Sequence, residues 1–282
     1  MKTPIVFVHK GNQDYIKYCL LKASETNPQS KIYLIGDNTN KHFDNIAKNV
    51  IWKCYDEYTC ENRTRFLNNY VHLISNPADF EIVCIDRWFI INQFLKKENI
   101  KNIFASDTDV LIYSDIDELK NNYFSMCKCT LTNNTSGTIT FINDQTLLQE
   151  YCEFVVDCYE GKEKFFLDAA KSHFMNLRIN GRAGGVCDMT WWKLFKNKLC
   201  AGDFGETTSL FADSNGEYST FDHNINVSHG YQMENNMKKF IFKNGVPYCY
   251  NITHSKEIRF HAIHFQGQFA KSFMKVFFDK AE

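Results

Sequence analysis

The residues best suited to do chemistry are Asp107 and Asp109, with Thr108 between them. Carboxylate oxygens are the ligands that Mg²⁺ and Mn²⁺ prefer. The pair follows Asn102 to Ser106, which reads as a buried strand. A charge beside a core is costly unless it is paired or bound to something. In open α/β sheets, ligands sit outside the carboxyl ends of strands. Type, spacing and place together predict a divalent-metal site that holds a diphosphate. A bare Asp-x-Asp also arises by chance, so a loop with capping acids is the competing reading. A second one, Asp115-Ile116-Asp117, is expected to be structural. There Ser114 or Asp115 caps a helix through Tyr123, and acids suit a first turn.

The elements that must position these residues read as follows. Ile5 to His9 is a short apolar strand closed by Lys10-Gly11-Asn12, and Asp14 to Ser24 has helical spacing. Lys31 to Ile35 is a second strand ended by Gly36-Asp37-Asn38, His42 to Ala47 a short helix, and Val50 to Cys54 a third strand. Strand–helix alternation predicts a parallel sheet covered by helices. No Gly-rich dinucleotide fingerprint or P-loop is present. Arg63 to Ile74 and Phe80 to Leu95 read as helices, with Arg87 on or beside the apolar stripe of the second. Such an Arg is paired inside, points into a site as a fork for phosphate or sugar oxygens, or snorkels to water.

Gly137 to Ile142 reads as a strand, and Gln145 to Tyr159 and Glu163 to Asn176 as helices. The segment Asn180 to Trp192 combines glycines, Asp188 and the pair Trp191-Trp192. Glycines let backbone approach a ligand, and an acid with two indole rings suits a sugar. The competing reading is a tight turn into a helix capped by Asp188 or Thr190. Phe221-Asp222-His223-Asn224 is another polar cluster. Lys239 to Phe242 and Val246 to Tyr250 flank Asn244-Gly245, which predicts a hairpin with a type I′ turn. Ile258 to Phe265 reads as one strand and Gln268 to Phe278 as a last amphipathic helix.

The 282 residues suffice for one large α/β domain, here taken as 1–282, with a nucleotide-binding half (1–125) and an acceptor-binding half (126–282). Hydrophobic content of 44% and charged content of 23% exclude a disordered chain. A net charge of −1 gives no global field for nucleic acid, which is not expected as a partner. Eleven cysteines without a Cys-x-x-Cys fit reduced thiols in a cytoplasmic protein. No signal peptide or membrane span is visible. The basic, Phe-rich last helix leaves peripheral membrane contact as a lesser reading beside packing onto the sheet.

With these pieces in order, the chain resembles the GT-A-fold glycosyltransferases, the sugar-nucleotide-dependent enzymes with an Asp-x-Asp metal motif. The matching pieces are Val8 to Lys10, the second strand ending at Asp37, the helix bearing Arg87, Asp107-Thr108-Asp109, and a late His-x-x-Gly, His264 to Gly267. It looks most like small bacterial or large-virus transferases that build polysaccharide or glycoprotein glycans. The resemblance implies a Rossmann-like, mostly parallel sheet flanked by helices, with a small antiparallel C-terminal part. It implies Mn²⁺ (or Mg²⁺) on Asp107, Asp109 and His264. It implies a nucleotide-sugar, with UDP the expected nucleotide, held by Val8, His9, Lys10, Asp37, Arg87, Asp107, Thr108, Gly267 and Lys271. Lys271 falls one place later than the phosphate-binding Lys of the families that share the late motif, and no Pro-Trp follows it.

The expected reaction moves a sugar to a hydroxyl of a glycan acceptor, with the metal and nearby cations meeting the charge on the leaving diphosphate. An inverting enzyme needs a carboxylate base, for which Asp188 and Asp222 are the candidates and Glu206 the third. A retaining enzyme needs none. Two rivals stand beside this reading: a sugar nucleotidyltransferase, and a non-catalytic nucleotide- or glycan-binding protein.

Overall fold

The computed structural model describes residues 2–199 and 201–280. Strands β1 (Ile5–His9), β2 (Ile32–Gly36), β3 (Val50–Cys54) and β4 (Ile103–Ser106) run parallel to one another. Strand β5 (Val110–Ile112) leaves this sheet at once, and β6 (Cys129–Leu131), β7 (Ile139–Ile142) and β8 (Phe204–Glu206) complete it in the order β3-β2-β1-β4-β7-β6-β8. Strand β7 is antiparallel to both its neighbours.

Alternation builds a core on each face of this sheet. Ile5 and Phe7 of β1 point into one cluster, and Val6 between them points into the other. Helix α1 (Ile16–Thr26) covers the first face. Helix α2 (Glu61–Asn69), the long α3 (Ala78–Lys97), α5 (Gln145–Tyr159) and α7 (Asp188–Lys198) cover the second, with α4 (Ile116–Leu119) and α6 (Lys164–Ile179) between them in the chain. Asp115 caps α4 by accepting the N–H of Asp117 at 2.8 Å and of Glu118 at 3.1 Å, the structural role expected of the second Asp-x-Asp.

The C-terminal part is mostly antiparallel. Strands β9 (Phe211–Ala212) and β10 (Tyr218–Thr220) come first, then the small hairpin β11 (Met233–Glu234) and β12 (Met237–Lys238). They are followed by β13 (Phe240–Lys243), β14 (Val246–Asn251), β15 (Lys256–Phe260) and β16 (Ala262–His264). One sheet has the order β13-β14-β15-β10-β9, while β16 pairs with β5. Asn244 (φ 50°) and Gly245 (φ 75°) make the left-handed turn between β13 and β14. Helices α8 (Gln268–Lys271) and α9 (Met274–Asp279) end the fold. None of the helices among the described residues is long and apolar enough to cross a membrane.

Several sequence expectations are corrected. The helix expected over His42 to Ala47 is a 3₁₀ turn over Asn38–Phe43, started by Asp37, whose carboxylate accepts the Thr39 N–H at 3.0 Å. The stretch Ile258 to Phe265 is two strands in two sheets, broken at His261, because alternation continues smoothly while the pairing partner changes. The last helix is two short ones; the Ser272 hydroxyl donates to the Phe269 carbonyl at 2.7 Å where they part. Trp191 and Trp192 are wholly buried and offer no platform to a sugar. Trp192 stacks on Tyr151 with ring centroids 3.7 Å apart.

Candidate active site

Strand β4 delivers Asp107 to the carboxyl edge of the sheet, where its N–H donates to Thr138 O at 3.0 Å. The chain turns through Thr108 and Asp109 into β5, and β16 lies antiparallel beside it with His264 opposite Val110. This crossing brings Asp107, Asp109 and His264 together, with one ligand atom from each within 4.8 Å of the others. His264 Nδ1 donates to the His223 carbonyl at 2.6 Å, so Nε2 is the nitrogen turned to Asp109, 3.5 Å away. A backbone partner of this kind orients a metal-binding imidazole.

Cations surround the pair. Lys271 Nζ donates to Asp109 Oδ2 at 3.1 Å. Arg87 Nη1 pairs with Asp107, while its Nη2 donates to Asp188 Oδ2 at 2.6 Å. Burial would push His264 down, yet the charge and hydrogen bond of Asp109, helped by Asp107, raise it to about 9. Burial resists ionisation of Asp109 as well, and His264 with Lys271 overcomes it, holding that carboxyl well below its usual range. Asp107 is pushed up by burial, which the Arg87 charge only partly offsets.

Through Asp107 and Asp109, and not through the buried His264, the cluster opens into a cavity of about 360 Å³ at the ends of β1 and β4. Of the residues expected to hold the nucleotide, Val8, His9, Lys10, Arg87, Asp107, Thr108 and Lys271 line it, with Asp109 beside them. Thr108 Oγ1 and His9 Nδ1 lie 2.7 Å apart and tie the motif to the end of β1. Asp37 and Gly267 do not line it. Asp37 accepts the Gly11 N–H at 3.0 Å and so shapes the loop after β1. Gly267 takes φ 87° at the start of α8, and its carbonyl accepts the Lys271 N–H at 3.1 Å.

The three expected bases are all engaged elsewhere. Asp222 is wholly buried, pairs with Lys238 at 2.7 Å and accepts the His264 N–H at 3.2 Å. Asp188 is buried behind Arg87 and also accepts from Trp88 Nε1 at 3.4 Å. Glu206 braces a loop by accepting the N–H groups of Asn133 and Thr208, each at 2.8 Å. Sequence reasoning missed Tyr15, Asp79 and Phe80 on the cavity wall. Phe80 is 59% exposed, and a large aromatic at a helix start is the signal in the sequence that points to it. Glu81 beside it is buried, and burial with the Asp188 charge pushes it up to about 7. Close packing brings α7 here: a Cβ on Gly185 would lie 2.2 Å from the Leu73 carbonyl oxygen.

No protein-family model matches the chain, and no curated protein matches it in sequence. Solved structures do match in shape. The chain is similar to the galactosyltransferase LgtC in complex with donor and acceptor sugar analogs, at 10% identity and TM-score 0.51, covering 99% of this chain and 95% of that one. It is similar to the apo bifunctional glycosyltransferase WbbM at 10% identity and TM-score 0.51, covering 99% of this chain and 49% of WbbM, so it spans about half of that protein. It also matches apo mouse xyloside xylosyltransferase 1 at 9% identity and TM-score 0.49, over 73% of this chain and 85% of that one. The agreement with LgtC and WbbM runs over nearly the whole chain, and the architecture of this protein is the GT-A fold.

Proposed function

We propose that the protein is a metal-dependent glycosyltransferase that moves a sugar from a nucleotide-sugar, UDP-linked, to a hydroxyl of a glycan acceptor. The observation that carries this reading is the Asp107–Asp109–His264 cluster opening on a cavity at the carboxyl edge of a GT-A sheet. The residues fit a divalent ion. Two carboxylates and an imidazole nitrogen are a donor set that Mn²⁺ accepts, and His264 has its other nitrogen tied to backbone. Bound there, Mn²⁺ or Mg²⁺ supplies positive charge to the leaving diphosphate.

The chain's own residues do the rest. Lys271 and Arg87 neutralise the carboxylates in the ligand-free protein and stand where phosphate oxygens arrive, so each can exchange an acid for a phosphate. Asp188 positions the Arg87 fork. Val8, His9 and Lys10 form the wall at the end of β1 on which we place the nucleoside. The nucleotide-binding half is then 1–125 completed by Lys271, and the acceptor side is 126–282. The engaged state of Asp188 and Asp222 favours a retaining transfer; for an inverting one, Asp79 is the carboxylate exposed on the cavity wall. A reducing, cytoplasmic setting agrees with the unpaired thiols of all described cysteines.

The test is Mn²⁺-dependent release of UDP from UDP-sugars, with Asp109→Asn as the control. The variant loses at least about a hundredfold in rate while remaining folded by circular dichroism. Consumption of a nucleoside triphosphate with release of pyrophosphate would instead assign a sugar nucleotidyltransferase. Binding without turnover would leave the non-catalytic reading.

A further inference from the structure

The ladder of β5 and β16 has two ends, and the metal cluster occupies one. Asp109 and His264 sit at that end, while Ser114 and His261 sit at the other, where the Tyr113 N–H donates to His261 O at 2.8 Å. At about 3.3 Å per residue, Asp109 and Ser114 are roughly 16 Å apart along the strand. The far end opens into a second cavity of about 570 Å³, a size that suits a small ligand. Ser114, Tyr123, Tyr218, Tyr248, Arg259 and His261 form its wall.

The hydrogen bonds of that wall leave donors over. Arg259 Nη2 donates to Ser114 Oγ at 3.2 Å. Ser114 therefore turns its own hydrogen to His261 Nδ1, 2.9 Å away. The His261 ring is neutral, because burial and the Arg259 charge push it down to about 3. Its single ring hydrogen is then on Nε2, which has no partner, and Arg259 Nε has none either. Buried donors are rarely left unmet.

The remaining chemistry selects the ligand. The carboxylates of Glu118, Asp213 and Glu217 share this cavity, so a second negative charge is disfavoured beside one guanidinium. Carboxylates accept hydrogen bonds from hydroxyls, and the half-buried Arg259 guanidinium donates to them. The three half-buried phenol rings offer apolar faces for C–H groups. We propose that this cavity binds a neutral saccharide of one or two rings, at a site separate from the metal cluster. No step of the transfer reaction is needed for it.

The experiment is saturation-transfer difference NMR on the full chain, with maltose, cellobiose and lactose as probes and glucuronate and inorganic phosphate as anionic competitors. At least one disaccharide gives protein-dependent signals, and neither anion displaces it. The signals weaken at least tenfold in Tyr218→Ala and in Arg259→Met, and persist in Asp109→Asn. Glu217→Gln, an exposed change that leaves the core alone, weakens them as well and stands in should either of the first two variants melt early. The proposal is overturned if no probe binds the folded chain, if the folded cavity variants bind as wild type does, if an anion competes, or if Asp109→Asn alone abolishes the signals. That last outcome would put the sugar in the catalytic cavity.

Discussion

Asp222 holds the main chain of His264: one carboxylate oxygen accepts the His264 N–H at 3.2 Å while the other binds the Lys238 ammonium at 2.7 Å. Both side chains of the ion pair are out of water. The strand that presents His264 is thus fixed from behind by a buried charge pair. Breaking a buried pair from one side leaves an unpaired charge, at a cost of about 3–5 kcal/mol. Asp222→Ala is expected to lose that much in urea unfolding, and the double change Asp222→Ala, Lys238→Met to recover part of it. A general base would behave otherwise, losing turnover at unchanged stability.

Arg87 reads two acids at once, Asp107 and Asp188, and only a planar fork does so from one position. Arg87→Lys keeps the charge and loses the geometry. Turnover is expected to fall about 10- to 100-fold in steady-state kinetics with little change in melting temperature.

Lys271 touches Asp109 on one side and lies over the Tyr15 ring on the other, 5.1 Å from its centroid. On the proposed reading it transfers to a phosphate oxygen when the donor binds. Lys271→Met is expected to raise KM for the nucleotide-sugar about tenfold or more, and to lower UDP affinity in calorimetry by a similar factor.

Glu81 gives a pH signature. Burial, then the Asp188 charge, raises it from an ordinary 4.5 to about 7. The folded chain therefore binds this proton more tightly than the unfolded chain. The stabilisation is complete below about pH 4.5 and is lost as pH rises through about 7, where the buried carboxylate must ionise. At ~1.4 kcal/mol per unit, the swing is about 3–4 kcal/mol. Glu81→Gln removes the swing, so the variant gains on wild type between pH 4.5 and pH 8 in urea unfolding.

Much of this arrangement was legible in the sequence. The bounds of β1, β3 and α5 follow from apolar periodicity, and the place of Asp107 and Asp109 after a buried strand pointed to two members of the cluster that they form with His264. What periodicity reports is that a face is buried, not what buries it. It could not separate Trp191 and Trp192 in a core from indoles in a binding site, nor show that β15 gives way to β16 at His261. The type and neighbours of Asp222 suggested chemistry, and its partner Lys238, 16 residues on, is fixed only by the tertiary fold. Asp79 and Phe80 reach the cavity because α3 begins beside it, a fact of packing that no local pattern carries.

On the proposed function, Asp107, Asp109 and His264 hold a divalent ion through which a nucleoside diphosphate is bound. The most direct measurement is the melting temperature of wild type and Asp109→Asn with UDP, with Mn²⁺, and with both. A ligand that binds only the folded state raises it. A clear rise is expected for wild type with UDP and Mn²⁺ together, little with UDP alone, and none with both in the variant. An equal rise with UDP alone, or the same rise in Asp109→Asn, would contradict it.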